Sequence, residues 1–372
     1  MEEPFVIGRE DEKLLLERVI ANTKADLVAV YGRRRIGKTY IIRNCLQKHI
    51  VLEYSGIHNV ETEVQLAGYY GALAKQLNNN IALPAYTDWF AALELTATLL
   101  KKKMRRKKVV FFLDEFPWMQ TPKSNFLASF EHFWNSWASR QPNLAVVLCG
   151  SAASWMIQNV VRNKGGLHNR ITQKIALQPF TLYETEAFLK SRNVNLNRYQ
   201  VTQLYMAFGG VPHYLEQAAP GLSAAQIIDK ACFTKTGFLY NEFTDLYKAL
   251  FDSADRHFKV IRALATKPMG LSRNEIIKIC KLQSGGSTTA LLEELSASGF
   301  ITAYIPIGKK SKDSIFKITD EYSLFYLKFM EANRSGSKGT WTRLSDTPTW
   351  KSWSGFAFES VCMKHIAALK KG

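Results

Sequence analysis

Between Tyr31 and Thr39 the chain reads Tyr-Gly-Arg-Arg-Arg-Ile-Gly-Lys-Thr, residue types whose spacing suits the cradling of phosphate oxygens. Gly32 and Gly37 permit a turn that points successive backbone N–H groups inward, with Arg33, Arg34, Arg35 and Ile36 carried between them. Lys38 is placed to reach the β- and γ-phosphates, Thr39 to offer a hydroxyl to Mg²⁺, and Tyr40 opens the helix behind the loop. The alternative is a glycine-bounded basic turn with no ligand. A second constellation, Asp114-Glu115, closes the apolar run Val109-Val110-Phe111-Phe112-Leu113. A carboxylate at that position can hold the Mg²⁺ shell, which suits Asp114. A second one beside it can orient and deprotonate a water for attack on the γ-phosphate, which suits Glu115 and which simple binding does not require. The competing readings are a strand-end turn residue for Asp114 and a surface carboxylate for Glu115. Ser151 closes another apolar run, Leu144 to Cys149, and is either a polar sensor of the γ-phosphate or the N-cap of a helix from Ala152 to Val160. Arg170, after the Gly165-Gly166 turn, is either a charge-stabilising arginine, in cis or from a neighbouring subunit, or a surface salt-bridge residue.

These side chains need a parallel sheet to position them. Leu27-Val28-Ala29-Val30 reads as the buried strand before the loop, and Val109–Leu113 and Leu144–Cys149 as further strands covered on both faces. Ile50 to Tyr54 reads as a strand inserted between the two motif strands, the arrangement of NTPases that carry an additional catalytic glutamate. Residues Glu61 to Asn78 read as an amphipathic helix with Val64, Leu66, Ala67, Tyr70, Leu73, Ala74 and Leu77 on or near one face. The expected class is α/β, a P-loop NTPase sheet of additional-strand (ASCE) topology over residues 1–178. Lys101 to Lys108 is basic apart from Met104; it reads as a solvated helix end, with DNA contact as the alternative.

Beyond the sheet the pattern turns helical, and residues 179–255 read as a lid. Helices are expected over Glu184 to Leu189 and Tyr199 to Phe208, and Gly209-Gly210 ends one helix before Pro212 starts the next. His213 reads as a packed turn residue, and no metal is expected on it. Residues 256–332 read as a winged helix. Helices are expected at Phe258 to Ala265, at Ser272 to Cys280 with Ser272 as N-cap, and at Ser287 to Ser298. A hairpin then pairs Ile301 to Ile305 with Ser314 to Ile318 through the basic loop Gly308-Lys309-Lys310-Ser311-Lys312. In that fold Ser287, Thr288 and Thr289 would reach a major groove and the loop would touch the backbone, although Glu293 and Glu294 would repel phosphates if they faced DNA. Such modules also serve as protein-docking or structural units. Asn333 to Pro348 reads as a linker. Residues 333–372 are expected to hold that linker and the cut start of a further domain.

The chain of 372 residues carries a formal net charge of +17, which favours an acidic partner; with the basic hairpin loop, it makes double-stranded DNA the candidate macromolecule. Cys45, Cys149, Cys232, Cys280 and Cys362 are scattered, without the spacing of a metal knuckle or redox pair, as expected of reduced thiols in a cytoplasmic protein. No signal peptide and no stretch of membrane-spanning length occurs, so no membrane partner is expected.

Taken together, Phe5-Val6-Ile7-Gly8-Arg9-Glu10, the loop with its three arginines, Phe112-Leu113-Asp114-Glu115-Phe116, Cys149-Gly150-Ser151 and Gly209-Gly210-Val211-Pro212 resemble the archaeal-type ATPase family, close to the STAND and AAA-type ATPases. The resemblance implies ATP with Mg²⁺, hydrolysis, and a nucleotide-proximal role for Gly8, Arg9 and Glu10, and it brings Pro212 to the nucleotide. It also implies a restriction-endonuclease-like domain beginning near Trp353 to Glu359, whose later metal-binding positions this chain lacks; no nuclease chemistry is therefore expected. The implied function is an ATP-hydrolysing switch, acting through a protein partner or as a homo-oligomer. The alternatives are a DNA-binding or scaffold module with a structural nucleotide, and a small-molecule kinase, which the glutamate beside Asp114 disfavours.

Overall fold

Continuous apolar runs bounded by polar turns build strands that can be buried on both faces, and five of them assemble side by side. In the computed structural model these are β1 (Asp26–Tyr31), β2 (Ile50–Ser55), β3 (Val109–Asp114), β4 (Leu144–Gly150) and β5 (Gln173–Ala176). All pairings are parallel and the order is β2-β3-β4-β1-β5. The structure describes residues 6–80, 87–104, 107–162, 164–251, 253–334 and 336–370; Phe5 of the amino-terminal motif and Arg105 and Arg106 of the basic run lie outside the described residues. The strand that separates the two motif strands is therefore β4. The Ile50 strand is inserted in the chain but lies at the sheet edge beside β3, which corrects its expected place.

Helix α1 (Glu10–Ala21) precedes β1, and α2 (Lys38–Leu46), α3 (Thr62–Leu77), α4 (Trp89–Lys101) and α5 (Phe126–Ser136) return the chain between strands. Helix α3 buries Gln65, Leu66, Tyr69, Tyr70, Leu73 and Leu77, whereas Val64 and Ala67 are exposed. The inward face is thus rotated from the one that hydrophobicity alone suggests. The cause is an edge-on aromatic chain, Tyr69 to Trp89 at 5.2 Å and Trp89 to Phe126 at 4.7 Å, which also joins α4 and α5.

The described residues divide into two compact units, 6–33 with 37–177, and 34–36 with 178–370. In the second, helices Leu182–Ser191, Arg198–Phe208 and Arg273–Cys280 each start with a capping box, Thr181 with Glu184, Asn197 with Gln200 and Ser272 with Glu275. Helix Arg198–Phe208 stops at Gly209, whose φ of +67° suits glycine and where a Cβ would lie 2.7 Å from the Glu321 carboxylate. Helices Ala254–Ala265, Arg273–Cys280 and Gly286–Ala297 accompany an antiparallel sheet ordered β6-β8-β7, from β6 (Leu271–Ser272), β7 (Ile301–Tyr304) and β8 (Ile315–Ile318). The expected hairpin is the β7–β8 pair, and β6 is a strand too short to read from the sequence.

The segment read as a linker is part of the core instead. Gly339 and Trp341 donate their backbone N–H groups to the Asp229 carboxylate, each at 2.7 Å. Trp341, 2% exposed, stacks on Phe233 at 5.7 Å and meets Phe325 and Trp350 edge-on at 4.8 and 5.0 Å. Helices Thr340–Leu344 and Pro348–Lys364 follow from that anchoring. Truncating Trp341 to Ala should destabilise the second unit by about 3–5 kcal/mol, the usual cost of removing a buried aromatic, read as an earlier urea midpoint by tryptophan fluorescence. An unchanged midpoint would mean that this segment does not anchor the core.

Candidate active site

In a parallel sheet every strand delivers its carboxyl end to the same edge, so the residues after β1, β3 and β4 converge there. After β1 the chain turns at Gly32 with φ +148°, passes Arg35 at φ +69° and Gly37 at φ +87°, and enters α2 at Lys38. The loop arginine Arg33, Ile36 and Lys38 are buried, Arg34 is half-buried and Tyr40 is exposed. Lys38 lies back over the loop, its Nζ donating to the Arg33 carbonyl at 2.9 Å. Gly8 and Arg9, both with φ of +62°, form the turn into the amino end of α1. That helix runs back toward the start of β1, so its amino end lies on the phosphate-loop edge. Arg9 is buried, 4.0 Å from Glu12.

Asp114 ends β3 and is 5% exposed. Thr39 Oγ1 donates to Asp114 Oδ2 at 2.9 Å, bringing together a hydroxyl and a carboxylate that lie far apart in the chain. Two hard oxygens in contact beside a phosphate-type loop are the donor set Mg²⁺ takes, so the residues present fit the ion. Cys149 is also buried here; burial first, then the Asp114 charge, pushes its thiol well above the usual range.

Glu115 occupies the left-handed region, φ 44° and ψ 46°. That conformation turns its side chain toward β4, where Glu115 Oε2 accepts from the Ser151 backbone N–H at 3.1 Å and the Ser151 hydroxyl at 2.8 Å. The N-cap alternative for Ser151 fails: Ala152 occupies the cap position of the helix Ala153–Met156, and the Ser151 hydroxyl is spent on Glu115. Behind Glu115, Gly56 donates to the Asp114 carbonyl at 2.9 Å, and the fully buried Gln65 donates to the carbonyls of Ile57 at 2.6 Å and Trp118 at 2.8 Å. Gly56 and Gln65 support the acidic pair, and nothing in their sequence context beyond a glycine after a strand points to it.

Arg170 is not brought to its own loop. It precedes β5, whose first residue pairs with Val28, and the neighbouring Thr172 N–H bonds the Leu27 carbonyl; this is the amino-terminal edge of the sheet, opposite Gly32. An in cis role is therefore corrected. Arg162, which the sequence pattern does not single out, acts electrostatically on Tyr31: burial raises the phenol and the Arg162 charge partly offsets it. Residues 34–36 group with the second unit, where Arg35 pairs with buried Glu242 at 2.9 Å and lies 4.7 Å from the Phe238 ring centre. The Tyr214 hydroxyl donates to the same carboxylate at 2.8 Å. Pro212 opens the helix Pro212–Leu215, and the His213 N–H lies 3.5 Å from the Arg35 carbonyl. His213 bonds Glu216 through Nδ1 at 2.8 Å, a turn contact.

Residues 7–218 match the family model described as an ATPase domain predominantly from Archaea. The chain belongs to this family. It is 24% identical over 368 residues to an uncharacterised protein of Methanocaldococcus jannaschii, spanning 98% of this chain and 78% of that protein. An uncharacterised ATP-binding protein of the same organism is 44% identical over 41 residues, 11% of this chain and 70% of its own length. Among solved structures, the fold is similar to a Walker-type ATPase of Pyrococcus abyssi, with a TM-score of 0.56 at 16% identity over 87% of this chain and 96% of that one. It is also similar to the Aeropyrum pernix ORC2 protein, with a TM-score of 0.51 at 14% identity over 87% and 94%. For this archaeal-type ATPase the sheet order, with β4 between β1 and β3, and the phosphate loop stand as the fold of a P-loop ATPase.

Gly56→Ala tests how tightly the acidic pair is backed. A Cβ there would lie 2.6 Å from the Glu115 carbonyl oxygen, a backbone atom that cannot swing aside. The expected cost is about 1–3 kcal/mol in urea unfolding, as for overpacked cores, with exposed Ser55→Ala unchanged. Equal midpoints for the two variants would show that the segment gives way freely.

Proposed function

We propose that the chain is an ATP-hydrolysing switch. The observation that carries this is the convergence of Thr39, Asp114, Glu115 and Ser151 at one sheet edge beside the loop. The loop N–H groups and Lys38 bind the phosphates, and Thr39 and Asp114 would hold Mg²⁺. When bound, the ion supplies positive charge against the phosphate oxygens. Glu115 accepts a proton from the water that attacks the γ-phosphorus; the bond to the β–γ bridging oxygen breaks, leaving ADP and phosphate. Ser151 holds the Glu115 carboxylate through two donors, so it acts on the base before it acts on the nucleotide. Gly8, Arg9, Arg33, Arg34, Arg35 and Pro212 are proposed to line the nucleotide, and Arg170 to serve only another subunit's site.

Glu115→Gln should keep ATP binding and lose at least about 100-fold in turnover, within the range a positioned general base contributes. Lys38→Ala should lose both, as read by labelled-ATP binding alongside phosphate release. Undiminished turnover in Glu115→Gln protein would sink the assignment of the base, and a nucleotide that stays bound without turnover would leave the scaffold alternative.

We further propose that helices Ala254–Ala265, Arg273–Cys280 and Gly286–Ala297 with the β7–β8 hairpin act as a winged helix on double-stranded DNA. The expected groove contacts change in one respect: Thr288 is fully buried and donates to the Gln283 carbonyl at 2.7 Å, leaving Ser287 and Thr289 exposed. Arg256 reaches Ser287 at 3.5 Å and Arg273 reaches Thr289 at 3.4 Å, which adds two cations at the helix start. Glu294 is engaged with His257 at 2.9 Å. Neutralising exposed Lys309 and Lys310 should weaken duplex binding and lower its salt slope by about 2, without changing sequence preference. An unaltered electrophoretic shift would remove the hairpin loop from the interface.

A further inference from the structure

The edge of the sheet opposite the phosphate loop is rich in exposed cations. Each parallel strand starts there, and each is preceded by a cation: Lys48 before β2, Lys107 before β3, Arg140 before β4, Lys24 before β1 and Arg170 before β5. Lys101, Lys102 and Lys103 close α4 on the same edge, and all eight of these side chains are exposed. The pairings hold the starts level: the Val109 N–H bonds the Asn143 carbonyl, Val110 bonds His49, and Thr172 bonds Leu27. Asp26 at this edge is consumed by buried Lys108, whose Nζ also donates to the Asn22 and Lys24 carbonyls, and the Glu131 carboxylate lies against Gly166 of the 165–172 segment. The segments 22–25, 47–49, 101–108, 137–143 and 165–172 contain no Asp or Glu. Among the described residues no carboxylate pairs with Lys24, Lys101, Lys102, Lys103, Lys107, Arg140 or Arg170.

Helix carboxyl ends at this edge explain part of the bias, because cations near them complement the dipole. One or two would serve that purpose; a continuous row across five strands exceeds it. With strands about 4.8 Å apart the row spans about 19 Å, a length over which a duplex presents about eleven phosphate charges. Large exposed apolar side chains, which an inserting membrane anchor would use, do not occur in these segments among the described residues.

We propose that this edge of the ATPase core binds the phosphodiester backbone of duplex nucleic acid without reading its sequence. The surface lies wholly in the first unit, uses none of the hairpin-loop residues, and does not depend on ATP hydrolysis. The test uses the full chain and fluorescence anisotropy with a labelled 24-base-pair DNA duplex, its RNA counterpart, and vesicles of mixed neutral and anionic lipid. Lys24→Ala, Lys102→Ala, Lys103→Ala and Lys107→Ala combined should weaken duplex binding at least tenfold near physiological salt. The slope of log affinity against log salt should fall by about 3 to 4, close to one for each phosphate that is no longer neutralised. Arginine at the same four positions should restore both, which separates charge from misfolding. Equal losses on DNA and RNA mark a backbone site for either duplex, whereas a loss on one alone identifies that duplex as the ligand. Affinity and slope unchanged by the alanine set, failure of arginine to rescue, or binding to anionic vesicles but to neither duplex would each overturn the proposal. The same measurements on Lys38→Ala protein separate its failure from that of the hydrolytic assignment.

Discussion

A parallel sheet has a direction, and most of what this chain places in space follows from it. Every strand ends at one edge and begins at the other, so residues that follow strands meet, as do those that precede them. The hydrogen bond from Thr39 to Asp114 depends on this directly. Thr39 lies in the first turn of α2, after β1, and Asp114 ends β3; the two strands are separated by β4 and so stand about 10 Å apart at ordinary strand spacing.

Glu115 shows how local strain is accommodated for a site. A non-glycine residue in the left-handed region costs of order 1–2 kcal/mol, and here it aims a carboxylate at the tip of β4 instead of at solvent. Two hydrogen bonds from Ser151 to an ionised acceptor are strong enough to offset that cost. Gly56 and Gln65 back the same segment, since both fix backbone around Glu115. At the opposite edge Asn169, beside Arg170, also takes a positive φ, of 55°. The lysines of that edge project from the ends of helices and the starts of strands, where solvent and helix dipoles keep a row of like charges tolerable.

The second unit is held differently. Its helices begin at capping boxes legible in four-residue patterns, and its core is aromatic, with Phe233, Phe325, Phe329, Trp341 and Trp350 in mutual contact. A stretch rich in Ser, Thr, Gly and Lys reads as a linker because composition weighs every residue equally. A single tryptophan and an acceptor for two backbone N–H groups suffice to make it core. The buried face of α3 departs from its hydropathy pattern for a related reason: Gln65 is buried because four hydrogen bonds satisfy it, which no hydropathy pattern registers.

What the sequence determined by itself is local: the phosphate loop, the apolar strands that flank it, the acidic pair at a strand end, the caps and the hairpin. Each is encoded by neighbours within a few residues, through glycine's conformational freedom, strand burial or side-chain-to-backbone hydrogen bonds. Only the tertiary structure decided which strand stands between the motif strands, that Ser151 bonds Glu115, that Thr288 is buried, and that Arg170 sits at the far edge. Those depend on strand order and on the rotation of packed helices, quantities set by residues tens of positions apart packing together, for which local propensity carries no information.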